Sequence, residues 1–231
     1  MIKKIIILII SLFLHSANAK NVNYSYIEAK YKFYYKNIKA GEMYLKITKD
    51  KDRIEIDTLY NGNILAKLGN RDYRHERSTI QIKDNKYIPL NYFYKDNKSS
   101  YKISYNSSKE IILQDEGTNE DMALVINSKK DIHDPLLMLV KIMNSYPNID
   151  NSFETISKGR LKTYNYSFKD NQTININNIK YEGFTAEYIS GKKTNKYFFS
   201  KNHHNLMIQT KIIKKGDERL RIVLSEIISI K

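Results

Sequence analysis

The stretch Ala29-Lys30-Tyr31-Lys32-Phe33-Tyr34-Tyr35 decides the fold class. Apolar or aromatic side chains stand at Ala29, Tyr31, Phe33 and Tyr35, with Lys30, Lys32 and Tyr34 between them. Successive side chains of a strand point to opposite faces, so this period of two buries one face and gives the other to water. After a turn-rich break from Asn37 to Gly41, Met43, Leu45 and Ile47 resume the beat, and Ile54, Ile56 and Thr58 repeat it beyond Asp50-Lys51-Asp52. Similar runs cover 78–82, 87–94, 101–105, 110–113, 161–168, 173–176, 179–189, 196–200, 206–213 and 219–230. Asp84-Asn85, Asp96-Asn97, Asn106-Ser107, Asp170-Asn171 and Asn177-Asn178 lie between runs as polar turns. The pattern predicts a mainly β protein built as a single antiparallel meander. Open twisted sheets rarely pass about ten strands, so this one curls into a curved sheet or open β-barrel.

One segment leaves the beat. Asp134 offers a capping carboxylate before Pro135 at the first helical position. Leu136, Leu137, Leu139, Val140 and Met143 then form a helical apolar stripe that stops before Pro147. One short central helix is expected near 134–145, over one end or the concave side of the sheet.

The N-terminus reads as a leader. Lys3 and Lys4 precede an apolar run over 5–14, and Ala17-Asn18-Ala19 has the small-x-small form that signal peptidase reads. The run is shorter than the about 20 residues that a membrane-spanning helix needs. A signal peptide over 1–19 is expected, cleaved after Ala19, with one β-rich domain over 20–231. The product is expected to be soluble in the periplasm of a Gram-negative-type bacterium, with no transmembrane segment after cleavage.

The chain has no cysteine, so disulfides, thiol nucleophiles and lipidation at a cysteine are excluded. The net charge of +14 becomes +12 when Lys3 and Lys4 leave with the leader. Export argues against nucleic acid as the partner of this charge and for an anionic membrane surface or envelope glycan. Lysines that merely solvate outward strand faces explain the same count.

Several stretches together resemble the DUF3108 family of bacterial exported proteins. Tyr31 to Glu42 is similar to that family's aromatic strand leading into a G-x-x-A-G turn, with Asn37 in place of the first glycine. Tyr87-Ile88-Pro89-Leu90-Asn91-Tyr92 resembles its P-x-x-Y strand, and Asp134-Pro135-Leu136-Leu137 its central short helix. The run from Lys158 to Tyr166 resembles its G-x-x-x-x-Y strand. The match spans about residues 25 to 230. It implies a periplasmic β-rich domain of undefined function and carries over no catalytic residue.

Candidate chemistry is sparse. His133 between Asp131 and Asp134 suggests an acid/base or metal pair, although Asp134 is already explained as a helix cap. His203 and His204 would point to opposite faces of a strand and sit more simply in a solvated turn at Lys201–Asn205. Arg71 to Arg77, with His75 inside it, reads as an anion-binding loop or a mobile solvated one. Interleaved Tyr and Lys, as in Tyr24-Ser25-Tyr26, suit either a stacking platform or half-buried strand positions. There is no Gly-x-Ser-x-Gly elbow, phosphate loop or His-Glu-x-x-His, and no cofactor, catalytic residue or metal ligand is assigned.

Three functions stay open. A non-catalytic binding or carrier domain would take an apolar, lipid-like envelope ligand, with Leu136, Leu137, Val140 and Met143 as a movable plug. A basic interaction or structural protein would dock on an envelope protein or anionic glycan. A hydrolase or metal protein would use His133.

Overall fold

The computed structural model describes residues 24–69, 71–116, 123–157 and 160–231; the leader read over 1–19 lies outside them. The first half is β1 (Tyr26–Tyr35), β2 (Ile38–Lys49), β3 (Arg53–Gly62), β4 (Tyr73–Lys83), β5 (Lys86–Asp96), β6 (Ser100–Ser107), β7 (Glu110–Asp115) and β8 (Ala123–Asn127). A five-residue helix, α1 (Ile64–Leu68), sits between β3 and β4. The second half is β9 (Ile132–His133), α2 (Pro135–Ser145), β10 (Ser152–Ser157), β11 (Arg160–Ile176), β12 (Ile179–Ser190), β13 (Lys193–Ser200), β14 (Leu206–Lys214) and β15 (Asp217–Ile230).

All fifteen described strands form one sheet. Its order is β8 back to β1, then β15 back to β9, so each half is a meander and β1 joins β15 in the middle. Every pair is antiparallel except the short β9–β10 contact. Asn-containing turns make the tight reversals: Lys36-Asn37, Asp84-Asn85 and Asn177-Asn178 all hold positive φ, the geometry that suits the right-handed twist of a hairpin. Gly41 lets β2 approach β3, because a Cβ there would stand 2.4 Å from the Asn61 carbonyl oxygen.

The order forces the curl. β8 and β9 are the two edges of the sheet, yet only residues 128–131 separate them in the chain. Fifteen strands laid flat would be about 65 Å wide, whereas five extended residue steps reach about 18 Å. The sheet is therefore rolled until its edges meet at this short link. There the Ile132 N–H donates to the Ser108 carbonyl at 2.6 Å, the Ser128 N–H to that of Lys109 at 2.9 Å, and the Ser128 hydroxyl to Glu154 of β10. The ladder is not closed, because β8 and β9 do not pair. This matches the expected curved sheet.

Some expectations need correction. Asp170-Asn171 is not a turn between two strands: it is a bulge inside the 17-residue β11, marked by a register shift between Lys169 and Gln172. A bulge and a turn both recruit an Asn at positive φ, here 52°. Arg71 to Arg77 is not a loop, since β4 begins at Tyr73. α1, β8, β9 and β10 were not expected as separate elements.

α2 forms where the sequence asks for it. The Asp134 carboxylate accepts from the Leu136 and Leu137 N–H groups at 2.9 and 2.8 Å, and Tyr146 leaves the helix in an extended conformation before Pro147. The helix does not present one stripe, however. Met138 and Ile142 are buried together with Leu136, Leu137, Val140 and Met143, so it is apolar around most of its circumference. A helix of that kind belongs inside. α2 packs on β4, β5 and β10 and joins one continuous core with strand residues of both halves, among them Tyr31, Ile56, Ile80, Phe153, Phe184 and Ile208.

Candidate functional site

The site that the fold builds is the inner face of the rolled sheet with α2 against it. The four residues expected to form the plug, Leu136, Leu137, Val140 and Met143, are brought together there and all are buried. Burying side chains of this size contributes about 1.5–3 kcal/mol each, so the helix is held chiefly by apolar packing.

Three polar contacts orient it. At its N-terminal end Ser78 of β4 donates to Asp134 at 2.9 Å, and at its C-terminal end Asn205 Nδ2 donates to the Met143 carbonyl at 2.8 Å. On its flank Lys141 donates to His133 Nε2 at 3.0 Å and lies over the Phe153 ring. The helix thus bridges the first half of the sheet at β4 and the second half just before β14.

Burial sets the charge states. Asp134 is fully enclosed, and loss of water pushes its carboxyl up to about 7, although the helix N–H groups and Ser78 pull the other way. His133 is pushed down to about 4, first by burial and then by the Lys141 ammonium. A neutral imidazole can accept from Lys141, which agrees with the contact. Beside Asp134, Glu76 is also buried; it receives the Tyr92 hydroxyl at 2.5 Å and pairs with Arg74 at 2.6 Å.

The polar inventory around α2 is incomplete. Among the described residues, the Tyr24 and Tyr105 hydroxyls are buried without a hydrogen-bond partner. The Asn144 amide faces Tyr24 and Tyr87 without the alignment of a full hydrogen bond, and both of its polar atoms are left over. Each such buried group costs about 1–3 kcal/mol. Two surface hollows do not answer them. One, of about 380 Å³, opens beside the C-terminal end of α2 at Lys141, Ser145 and Pro147–Asp150. The other, of about 390 Å³, opens among Lys46, Arg53, Asp57 and Arg77. Both are open to solvent with mainly polar walls, and the interior proper is filled by α2.

The acid/base pair read at His133 is not assembled. Asp131 accepts from Ser108 and Asp134 from Ser78, and among the described residues the imidazole bonds Lys141 through Nε2 and leaves Nδ1 without a partner, so neither carboxylate holds it. Among the described residues no three His, Asp or Glu side chains gather as a metal site. His203 accepts or donates at Ser200 at 2.9 Å, while His204 is exposed on the same short turn. His75 bonds Asp57 at 3.0 Å, and Arg77 bonds the other oxygen of that carboxylate at 3.0 Å; the pair belongs to a strand, not an anion-binding loop. The interleaved tyrosines do not form one open platform: Tyr24 and Tyr31 are buried in the core, whereas Tyr35 is exposed at the end of β1.

The reading of the residues missed Glu76, Ser78 and Asn205. For the first two a signal existed, because period two puts Glu76 and Ser78 on the buried face of Ile80. Asn205 carried none. Compared with known proteins, the chain matches no family model, and no curated protein matches it.

Proposed function

We propose that this protein is a non-catalytic binding or carrier protein for an apolar, lipid-like ligand of the bacterial envelope, with the DUF3108 resemblance, periplasmic address and signal cleavage as parts of the same reading. The observation that carries it is a helix, apolar nearly all round, that fills the hollow of a rolled sheet whose ladder is left open. A ligand would enter by displacing α2, with Leu136, Leu137, Val140 and Met143 exchanging their contacts for acyl or isoprenoid chain. The unpartnered Tyr24, Tyr105 and Asn144 groups support it, since a filled, permanent core rarely leaves so many buried polar atoms unmatched. The enclosed helix also favours a second reading. A core that never opens suits a basic envelope protein that docks on an envelope partner or anionic glycan by its surface alone.

Native mass spectrometry of the protein purified from its own envelope, followed by organic extraction, separates the two. The carrier reading expects a stoichiometric lipid or isoprenoid. A clean apo mass, unchanged after incubation with envelope lipids, transfers the conclusion to the interaction protein.

A further inference from the structure

Six of the eleven exposed large hydrophobic side chains among the described residues lie along one rim of the sheet. They are Tyr35, Ile38, Ile64, Leu65, Leu68 and Ile189. The strand order explains the gathering. Reading across β4-β3-β2-β1-β15-β14-β13-β12, the reversals on this rim are α1, the β1–β2 turn, the β14–β15 turn and the β12–β13 turn. Register ties them in sequence: Tyr35 stands opposite both Ile38 and Leu220, Lys214 opposite both Asp217 and Lys193, and Lys193 opposite Ser190.

α1 is the most exposed piece, and it is held there. None of its residues is buried, and Leu68 is 83% and Ile64 76% exposed. Five residues make no stable helix alone. Polar tethers supply the support: Asn63 caps the Leu65 and Ala66 N–H groups and donates through Nδ2 to the Lys39 carbonyl at 2.7 Å. The apolar side chains are thus turned outward by a built anchor rather than by fraying.

The same rim carries unmatched positive charge. Lys36, Lys67, Lys192, Lys193, Lys214 and Lys215 are exposed and make no ion pair among the described residues. The nearby acids are already engaged: Asp217 by Arg219, Glu218 by Lys211 and Arg221, Glu42 by Lys30 and Lys39, and Asp72 by the Asn97 amide. Lys193 and Lys214 are direct cross-strand partners, a like-charge pair that Asp217, across from Lys214 and shared with Arg219, offsets only in part. Apolar tips among unpaired lysines match the boundary between headgroups and acyl chains of an anionic bilayer, and the like charge opposes a second copy of this chain as occupant.

We propose that this rim is a peripheral docking edge for an anionic membrane surface, with Ile64, Leu65 and Leu68 entering the headgroup layer and the lysines of the β12–β13 and β14–β15 turns on lipid phosphates. It stands whether or not the interior takes a ligand. The test is co-flotation of the purified protein with vesicles of phosphatidylcholine alone, or of phosphatidylcholine with 30% phosphatidylglycerol. Binding is expected only to the anionic vesicles. Neutralising Lys192, Lys193, Lys214 and Lys215 together to Gln should weaken it about a hundredfold or more, at about fivefold per charge. The charge-matched set Lys51, Lys83, Lys86 and Lys129 to Gln, on the opposite rim, should leave it within about threefold. Ile64→Ser with Leu68→Ser should lower it about tenfold while thermal unfolding stays put, because both side chains are largely exposed. No binding to anionic vesicles, equal binding to both vesicle types, or equal losses from the two lysine sets would overturn the proposal.

Discussion

The two helices are both rich in aliphatic side chains and end in opposite places. α2 has Leu137, Val140 and Met143 at 0% exposure, whereas α1 turns Ile64 and Leu68 almost fully to solvent. Composition does not separate them; position in the sheet does. α2 follows the link between the two sheet edges and falls inside the roll, while α1 caps a hairpin on the rim. Apolar surface in the first case holds the molecule together. In the second, Ile64 and Leu68 add little to folding and are free for an outside contact.

The sharpest way to break this contrast is by truncation. Leu137→Ala should lower unfolding stability by about 2–5 kcal/mol, read from the urea midpoint, because it empties a site that neighbours cannot fill. The same change at Leu68 should stay within about 0.5 kcal/mol. Similar losses at both would mean that α1 is packed after all.

The next effect is one of pH. Folding raises Asp134 from 3.8 to about 7 and lowers His133 from 6.5 to about 4. Between about pH 4 and 6.5 the unfolded chain has Asp134 ionised and His133 protonated, and the folded chain has both neutral. Each state then carries one proton on the pair, so their contributions to the slope of stability with pH cancel. Asp134→Asn keeps the helix cap and leaves His133 alone, so stability should rise with pH over that window, by on the order of 3 kcal/mol. His133→Gln leaves Asp134 alone, and stability should fall by a similar order as pH rises from about 4 to 7. Denaturant titrations at several pH values check both signs, and parallel slopes in the two variants would refute the assignment.

Smaller effects come from the tethers. Ser78→Ala removes a buried donor from Asp134 and should cost about 1–3 kcal/mol. Asn205→Ala frees the Met143 carbonyl at a cost of about 1 kcal/mol. Both should speed hydrogen exchange in α2 more than in β1, since they loosen the helix and leave the central strands paired.

Much of the fold was readable because it rests on local chemistry. Period two marks Ala29, Tyr31, Leu45, Ile47, Ile54 and Ile56, and all six are buried. Asp134 and Pro135 mark α2 by cap and ring geometry that need no tertiary partner. What escaped depends on distant pairing. α1 is too short for a helical period, and Ile64-Leu65 looks like the tail of a strand. The rim exists only because Tyr35 meets Leu220 and Lys193 meets Lys214. Leu136, Leu137, Val140 and Met143 were legible as an apolar helix, but the burial of Met138 and Ile142 was not, since a stripe read from one chain does not say how many sides will be covered.

The central claim is that α2 leaves its hollow when a lipid-like ligand enters. Because the chain has no cysteine, Val140→Cys gives a single thiol at a fully buried plug position. Its rate of modification by a water-soluble thiol reagent would be measured with and without a short-chain phosphatidylglycerol below its micelle concentration. The account predicts slow modification of the protein alone and at least a tenfold acceleration with lipid, with far-UV circular dichroism still showing the folded sheet. A rate untouched by lipid and equal to that of global unfolding would contradict it and leave α2 as a permanent part of the core.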